Sequence, residues 1–196
     1  RKYTPPDAPL AEALAVHDKL GIRRGLVVHA NTHGFDNGVD LLVEAMESME
    51  QLKHANPPFA IVNCNFDFKG ALALGRRVQP YLIREFPGMK VGITGVGVAF
   101  AGLVAPKNHE GVEWKDPYAS LKPVVKRLRD VEKVDLVVVL SHLGHNLNGS
   151  APDDLRMPGE VAGIDAIIGG HSHTFLEAPV RVPQARGETL VFQVGF

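Results

Sequence analysis

The stretch Val-Asp-Leu-Val-Val-Val-Leu, residues 134–140, is the clearest indicator of the fold, and Ser-His-Leu-Gly-His follows it directly at residues 141–145. The run is almost continuously apolar and rich in β-branched residues, which predicts a strand buried on both faces. The preceding segment, Tyr118–Val131, keeps its apolar residues on one side at helical spacing and predicts a helix. A helix followed by a fully buried strand is typical of a layered α/β fold.

The same alternation of strand and helix patterns continues along the whole chain. The other predicted strands are Gly25–His29, Phe59–Asn63, Lys90–Thr94, Ile164–Ile168 and Thr189–Val194. The other predicted helices are Ala8–Leu20 and Val39–Ala55. The segments 101–116 and 144–158 lack a clear period and are predicted loops. Because no linker divides the chain, residues 1–196 are predicted to form one domain.

Composition and charge narrow the classes of function. Of the 196 residues, 45% are hydrophobic and 22% charged, and the net charge of -1 gives no electrostatic case for a nucleic-acid partner. No apolar run reaches membrane-spanning length. A single cysteine, Cys64, excludes an internal disulfide. Because residue 1 is Arg rather than Met, we expect a processed or partial chain. The compartment therefore stays unknown between extracellular, periplasmic and organellar.

Histidines follow directly after two of the predicted strands. His142 and His145 lie in Ser-His-Leu-Gly-His, and His171 and His173 lie in Gly-Gly-His-Ser-His-Thr after the strand Ile164–Ile168. Strand-like alternation predicts that His171 and His173 point the same way. Neutral imidazoles suit Zn, Mn, Fe or Ni, and the neighbouring glycines let backbone approach a metal or phosphate. From these residues alone, a metal site and hydrogen-bonding surface histidines both remain open.

The two histidine motifs, in this order and at strand ends, resemble the last two metal motifs of calcineurin-like metallophosphoesterases, and the 5'-nucleotidase branch is the most similar. The supporting stretches are Phe-Asp-Asn-Gly-Val-Asp-Leu-Leu at 35–42, Pro-Phe-Ala-Ile-Val-Asn-Cys-Asn-Phe-Asp-Phe at 58–68, Lys-Val-Gly-Ile-Thr-Gly-Val-Gly at 90–97 and Val-Phe-Gln-Val-Gly-Phe at 191–196. The resemblance covers about Gly25–Phe196. It implies an α-β-β-α layered sandwich that is incomplete at its N-terminus.

The resemblance also implies ligands for a two-metal site. His142 and His171 correspond to ligands of one divalent cation, Zn, Mn or similar, and His173 corresponds to a ligand of the other. His145 is placed near the substrate or behind a ligand. His33 matches the family's histidine that donates to the transferring phosphoryl group, and Asp36 matches the aspartate that orients it.

Departures from the family pattern bear on the metal count. The family's Gly-Asn-His-Glu becomes Asn31-Thr32-His33-Gly34, so Thr32 replaces a metal-binding Asn. Residues 29–34 also admit an alignment to the family's first motif, but the Asp of that motif is missing. Upstream of Gly25 no motif supplies the carboxylates that bridge two metals, and without them two divalent cations repel each other. One metal, two or none therefore remain open.

Two functions follow from this comparison of motifs. The first is a 5'-nucleotidase-type, metal-dependent phosphomonoester hydrolase domain acting on a nucleotide or another phosphomonoester, with an incomplete two-metal site. The second is a degenerate, non-catalytic domain that serves as a structural or interaction subunit of a larger assembly. The second is favoured if residues 1–196 are the complete protein. Missing early strands would expose sheet surface, which predicts a protein partner that covers it.

Overall fold

The computed structural model describes residues 60–103, 106, 109–185 and 187–193. Its central feature is a six-stranded mixed sheet with four neighbouring parallel strands. Three predicted elements lie outside the described residues: the strand Gly25–His29 and the helices Ala8–Leu20 and Val39–Ala55.

The described residues contain ten strands and three helices. The strands are β1 (Ile61–Val62), β2 (Phe66–Asp67), β3 (Val78–Gln79), β4 (Tyr81–Phe86), β5 (Met89–Gly97), β6 (Glu113–Trp114), β7 (Leu136–His142), β8 (Ala166–Ile168), β9 (Val180–Gln184) and β10 (Gly187–Phe192). The helices are α1 (Leu72–Gly75), α2 (Pro117–Asp130) and α3 (Met157–Glu160).

The large sheet has the order β4-β5-β7-β8-β10-β9. Strands β5, β7, β8 and β10 are parallel, and the two edge strands β4 and β9 run antiparallel to their neighbours. Two further pairs lie outside this sheet, β1 with β3 and β2 with β6. The four parallel strands bring their carboxyl ends to one edge, where α/β sheets commonly bind ligands.

Helix α2 begins where its sequence provides a cap. The side chain of Asp116 accepts a hydrogen bond from the backbone N–H of Ala119 at 2.7 Å, and Pro117 occupies the first helical position. Both features satisfy or remove backbone donors that the first turn leaves free. The predicted helix Tyr118–Val131 is therefore confirmed, displaced by one residue.

The core lies between helix α2 and one face of the sheet. Leu121 and Leu128 of the helix and Val137 of strand β7 are each fully buried, at 0% exposure. A Cβ atom on Gly92 of β5 would lie 2.8 Å from Cδ2 of Leu128, so this glycine gives the helix room to approach. Apolar burial at this interface stabilises the layered arrangement by about 25 cal/mol per Å².

Strand β7 extends two residues further than its apolar run predicts. Ser141 and His142 continue the parallel ladder, opposite Val96 and Gly97 of β5. The prediction that His142 lies just past a strand is therefore wrong, because backbone pairing with β5 keeps the chain extended through this residue. The sheet itself, rather than a loop, holds the ring of His142.

The segment after β5 is more ordered than the predicted loop 101–116. Its end pairs with β2 as strand β6, and the indole N–H of Trp114 donates to the carbonyl of Gly97 at 3.0 Å. Phe66 and Phe100 pack with ring centroids 4.9 Å apart in a small apolar cluster beside this strand.

Among the described residues, no helix has the length and apolar character required to cross a membrane.

Candidate metal centre

Two of the predicted histidine ligands meet at the carboxyl edge of the sheet. The ring centroids of His142 and His171 lie 5.1 Å apart with an interplanar angle of 64°. Gly170 makes this approach possible, since a Cβ atom there would lie 3.2 Å from Nδ1 of His142. Backbone pairing of β7 with β8 therefore brings together two side chains that are 29 positions apart in sequence (171 minus 142).

The environment of His171 favours the neutral ring. Burial of this half-buried side chain lowers its pKa, and the charge of nearby His173 lowers it further. Its Nδ1 atom is buried and has no hydrogen-bond partner in the described part of the chain. A neutral imidazole with an unpaired ring nitrogen is the form that binds a divalent metal.

The backbone carries strain at the predicted ligands. His171 has a φ of 77° and His173 a φ of 51°, both in the left-handed region. Non-glycine residues rarely adopt this conformation, which costs about 1–3 kcal/mol and is concentrated at functional sites. The alternation predicted for His171 and His173 is wrong, because strand β8 ends at Ile168 and a turn follows it.

The remaining predicted site residues are less closely assembled. His145 is half-buried, its backbone N–H donates to Oγ of Ser172 at 2.9 Å, and its Nδ1 is buried without a partner among residues that the structure describes. His173 is exposed. Within the described ranges, no three His, Cys, Asp or Glu side chains form a group able to hold a metal. His33 and Asp36 lie outside those ranges.

A buried carboxyl group, which no sequence motif indicated, lies beside this centre. Asp154 is 0% exposed, and its Oδ1 accepts a hydrogen bond from Oγ of Ser141, the residue before His142. Its Oδ2 faces Gly169, where any Cβ atom would overlap it. Burial raises the pKa of Asp154 to about 7 against the hydrogen bond from Ser141, and the charge of Asp153 adds to the rise. Its place in a predicted loop gave no signal of burial.

A second missed residue is Gln193, which directly follows strand β10. It is 3% exposed, and its Nε2 donates to the carbonyl of Gly170 at 2.5 Å. Its Oε1 accepts hydrogen bonds from Ser172 Oγ and from the backbone N–H of Thr174, both at 3.0 Å. The available signal was a lone amide side chain at the end of an apolar strand, in Val-Phe-Gln-Val-Gly-Phe.

Known proteins with similar sequences carry phosphoesterase names. The chain is 31% identical to a 5'-nucleotidase of Vibrio cholerae over 150 residues, which is 71% of this chain and 25% of that protein. It is 26% identical over 185 residues to the trifunctional nucleotide phosphoesterase protein YfkN of Bacillus subtilis, covering 79% of this chain and 12% of that protein. The chain thus spans a quarter or less of these two relatives.

A solved structure gives the same comparison in three dimensions. A 5'-nucleotidase precursor from Thermus thermophilus matches 83% of this chain and 32% of its own chain, with a TM-score of 0.59 and 29% identity. The sheet and these relatives together identify the fold as that of a metallophosphoesterase domain similar to those of 5'-nucleotidases. The chain belongs to the family described as bacterial capsule synthesis protein PGA_cap, whose sequence profile matches residues 9–195. The predicted fold class and family resemblance are both confirmed.

Proposed function

We propose that this chain contributes the later half of a divalent-metal centre for phosphomonoester hydrolysis, with a nucleotide as the substrate class. The observation that carries the proposal is the edge-to-face pair of His142 and His171, in which burial favours the neutral form of His171. The names of the relatives support a nucleotide, but because the chain spans only part of their length the activity of a whole enzyme remains a proposal.

The side chains present suit a metal of the zinc or manganese type. His142 and His171 would hold one cation, and His173 would reach a second. When bound, such a cation polarises a phosphoryl oxygen and activates water. His145 would lie on the substrate side. The buried Nδ1 of His171, which has no hydrogen-bond partner among the described residues, supports this assignment, since a metal would satisfy that polar atom.

The first half of the centre is proposed from the motifs alone. His33 would donate to the developing charge on the phosphoryl group, and Asp36 would orient His33. Thr32 and Gly34 depart from the family pattern at two positions of the same run. We therefore propose a two-metal site that is incomplete within this chain, with bridging carboxylates that another segment would have to provide.

The experiment combines metal binding with turnover. Mn²⁺ is titrated into the full chain while electron paramagnetic resonance measures free Mn²⁺, and hydrolysis of AMP and p-nitrophenyl phosphate is followed in parallel. We expect the wild type to bind Mn²⁺ and His171→Ala to weaken binding by about 100-fold. His109→Ala is the matched control, because it removes an imidazole to which the proposal gives no part in the metal centre. The ring of His109 packs instead on Phe100, with ring centroids 4.6 Å apart. A wild type that binds no Mn²⁺ would remove the metal function.

The second candidate function is that of a phosphoesterase-like domain without catalytic activity. The observation that supports it is that the described residues complete no group of three metal ligands. On this reading the chain is a single, non-catalytic domain that binds a protein partner over the sheet. Mn²⁺ binding without hydrolysis of either substrate would support it. A purified chain that unfolds in one cooperative step, stays monomeric and binds no hydrophobic dye would contradict the partner.

A further inference from the structure

The turn that carries the two strained histidines runs from Gly170 to Thr174, and we call it the histidine turn. We propose that Gln193 is its positioning residue, which holds His171 and His173 in the left-handed conformation that presents them at the edge of the sheet. The consequence for metal binding rests on the proposed function. The effect on the shape of the turn does not.

The contacts of Gln193 alternate with the strained residues. Its side chain binds Gly170, Ser172 and Thr174, which precede, separate and follow the two histidines. One planar amide therefore holds the backbone before His171 and after His173, and it holds the Ser172 side chain between them. Strained conformations of this kind persist only where surrounding contacts hold them, and Gln193 supplies three.

The backbone around Gln193 anchors the two ends of the same segment. The carbonyl of Phe192 accepts the N–H of Gly169 at 2.7 Å, and the carbonyl of Gln193 accepts the N–H of Leu176 at 3.1 Å. Strand β10 and the residue after it thus hold the chain before and after the histidine turn through their main chain. Gln193 holds the middle through its side chain, at 3% exposure, where water competes little.

The network continues to the neighbouring strand. Oγ of Ser172 donates to Gln193 and also accepts the backbone N–H of His145, 2.9 Å away. Gln193 is therefore linked through one hydroxyl group to the segment that follows His142. The residues after β7, β8 and β10 form one connected hydrogen-bond network, and the side chain of Gln193 is its buried centre.

The chemistry of the position suits glutamine. The side chain must donate to one carbonyl and accept from a hydroxyl and an amide, which a planar amide can do. Glutamate lacks the donor and would place its charge against the carbonyl of Gly170. Methionine matches the length of glutamine and makes no comparable hydrogen bonds, so Gln193→Met removes the contacts while keeping the volume close.

The chain offers a matched control at the other end of strand β8. Gln184 accepts the N–H of Gly163 at 2.8 Å and donates to the carbonyl of Ile164 at 2.6 Å. This is the same kind of hydrogen-bonded link from a glutamine side chain to the backbone, but it lies at the amino end of β8. Neither of these two hydrogen bonds is to the histidine turn. Gln184→Met thus tests the loss of a glutamine bridge without disturbing the histidine turn.

The experiment compares the full-length wild type, Gln193→Met and Gln184→Met. Metal-free protein is examined by NMR, using the HN–Hα couplings and Cα shifts of His171 and His173, which report φ. Mn²⁺ affinity is then measured by electron paramagnetic resonance. We expect Gln193→Met to move both histidines away from left-handed values and to weaken Mn²⁺ binding by about 10- to 100-fold. Gln184→Met is expected to lower the Tm and leave both readouts at wild-type values.

Ser172→Ala provides a milder variant, because it removes one hydroxyl from an exposed position and leaves the other Gln193 contacts in place. We expect the same couplings to move in the same direction by a smaller amount. Unchanged couplings in Gln193→Met, or equal changes in Gln184→Met, would overturn the proposal. If the wild type binds no Mn²⁺, the metal function fails, and the couplings of the metal-free variants still decide the role of Gln193.

Discussion

The two ends of strand β8 are built on different principles. At the amino end, the guanidinium of Arg129 donates to the carbonyls of Gly163 and Asp135 and forms an ion pair with Asp165. The left-handed position at this end is Gly163, with φ of 97°, a conformation that glycine adopts at little cost. The polar groups around Arg129 are paired, and the strain falls on the residue that tolerates it.

At the carboxyl end the same strand is followed by strained and unpaired groups. The left-handed positions are His171 and His173 rather than glycines. Oδ2 of Asp154 and Nδ1 of His171 are buried without a hydrogen-bond partner among the described residues. The contrast indicates that the paired groups at the amino end of β8 stabilise the domain, whereas the strained and unpaired groups at its carboxyl end lower the stability, as is typical of functional sites.

The first prediction removes the Arg129 guanidinium group at the amino end of β8. Arg129→Met removes the donor to three backbone carbonyls, those of Val134, Asp135 and Gly163, and the ion-pair partner of the half-buried Asp165. We therefore expect the free energy of unfolding to fall by about 3 kcal/mol. Urea denaturation measures the change, and Mn²⁺ affinity should stay at the wild-type value. Lys126→Met is the control on the same helix, because its exposed pair with Asp130 contributes about 0.5 kcal/mol or less. Loss of Mn²⁺ binding in Arg129→Met would show that the two ends are not independent.

The second prediction concerns pH and the carboxyl end. Because burial raises the pKa of Asp154 to about 7, the folded protein keeps a proton that the unfolded chain loses near pH 4. The stability from this group is present below pH 4, falls as pH rises and levels off above pH 7, at about 1.4 kcal/mol per pH unit in between. Asp154→Asn should abolish a change of about 2 kcal/mol between pH 5 and 6.5. Parallel pH profiles for the two proteins in urea denaturation would contradict it.

The third prediction places a side chain at the glycine of the amino end. Gly163→Ala imposes left-handed strain and sets a Cβ 3.3 Å from Cγ1 of Val125, so thermal unfolding should report a loss of about 1.5 kcal/mol. Gly159→Ala is the control, since its Cβ would meet no atom within 4 Å and its φ is not positive. Equal Tm values for Gly163→Ala and the wild type would show that the backbone at residue 163 does not require glycine.

The fourth prediction makes the opposite change at the carboxyl end. His173→Gly relieves the left-handed backbone of an exposed residue, so we expect the free energy of unfolding to rise by about 1 kcal/mol. The same variant should bind Mn²⁺ more weakly than the wild type if His173 serves the centre. Differential scanning calorimetry and the Mn²⁺ titration measure the two effects. A less stable His173→Gly protein would contradict the strain argument and show that this histidine contributes to the fold.

Much of the sheet was predictable because burial leaves a periodic signal in a single segment. The runs at 90–94 and 134–140 predicted β5 and β7, and the helix between them was displaced by one residue. The edge strands β4 and β9 were not predicted. Strand β4 carries Arg84 and Glu85 on its exposed part, and β9 contains Pro183, which an edge strand tolerates and a central strand does not.

The candidate site divides in the same way. His142 and His171 were predicted as site residues because each follows an apolar run. That pattern depends only on one strand and the residues at its end. The roles of Asp154 and Gln193 were not visible, because their partners lie 13 and 23 positions away, at Ser141 and Gly170. Such contacts depend on which strands become neighbours, and no local pattern encodes that order.

The class of fold, the family motifs and the two strand-end histidine groups could all be read from the chain alone, since they depend on residue type and local spacing. Three features could be seen only in the folded molecule. They are the approach of the His142 and His171 rings, the left-handed backbone of His171 and His173, and the hydrogen bonds of Gln193 to the residues around these two histidines. The physical reason is that parallel strands align distant carboxyl ends through backbone hydrogen bonds. Those bonds set the distances on which a metal centre depends.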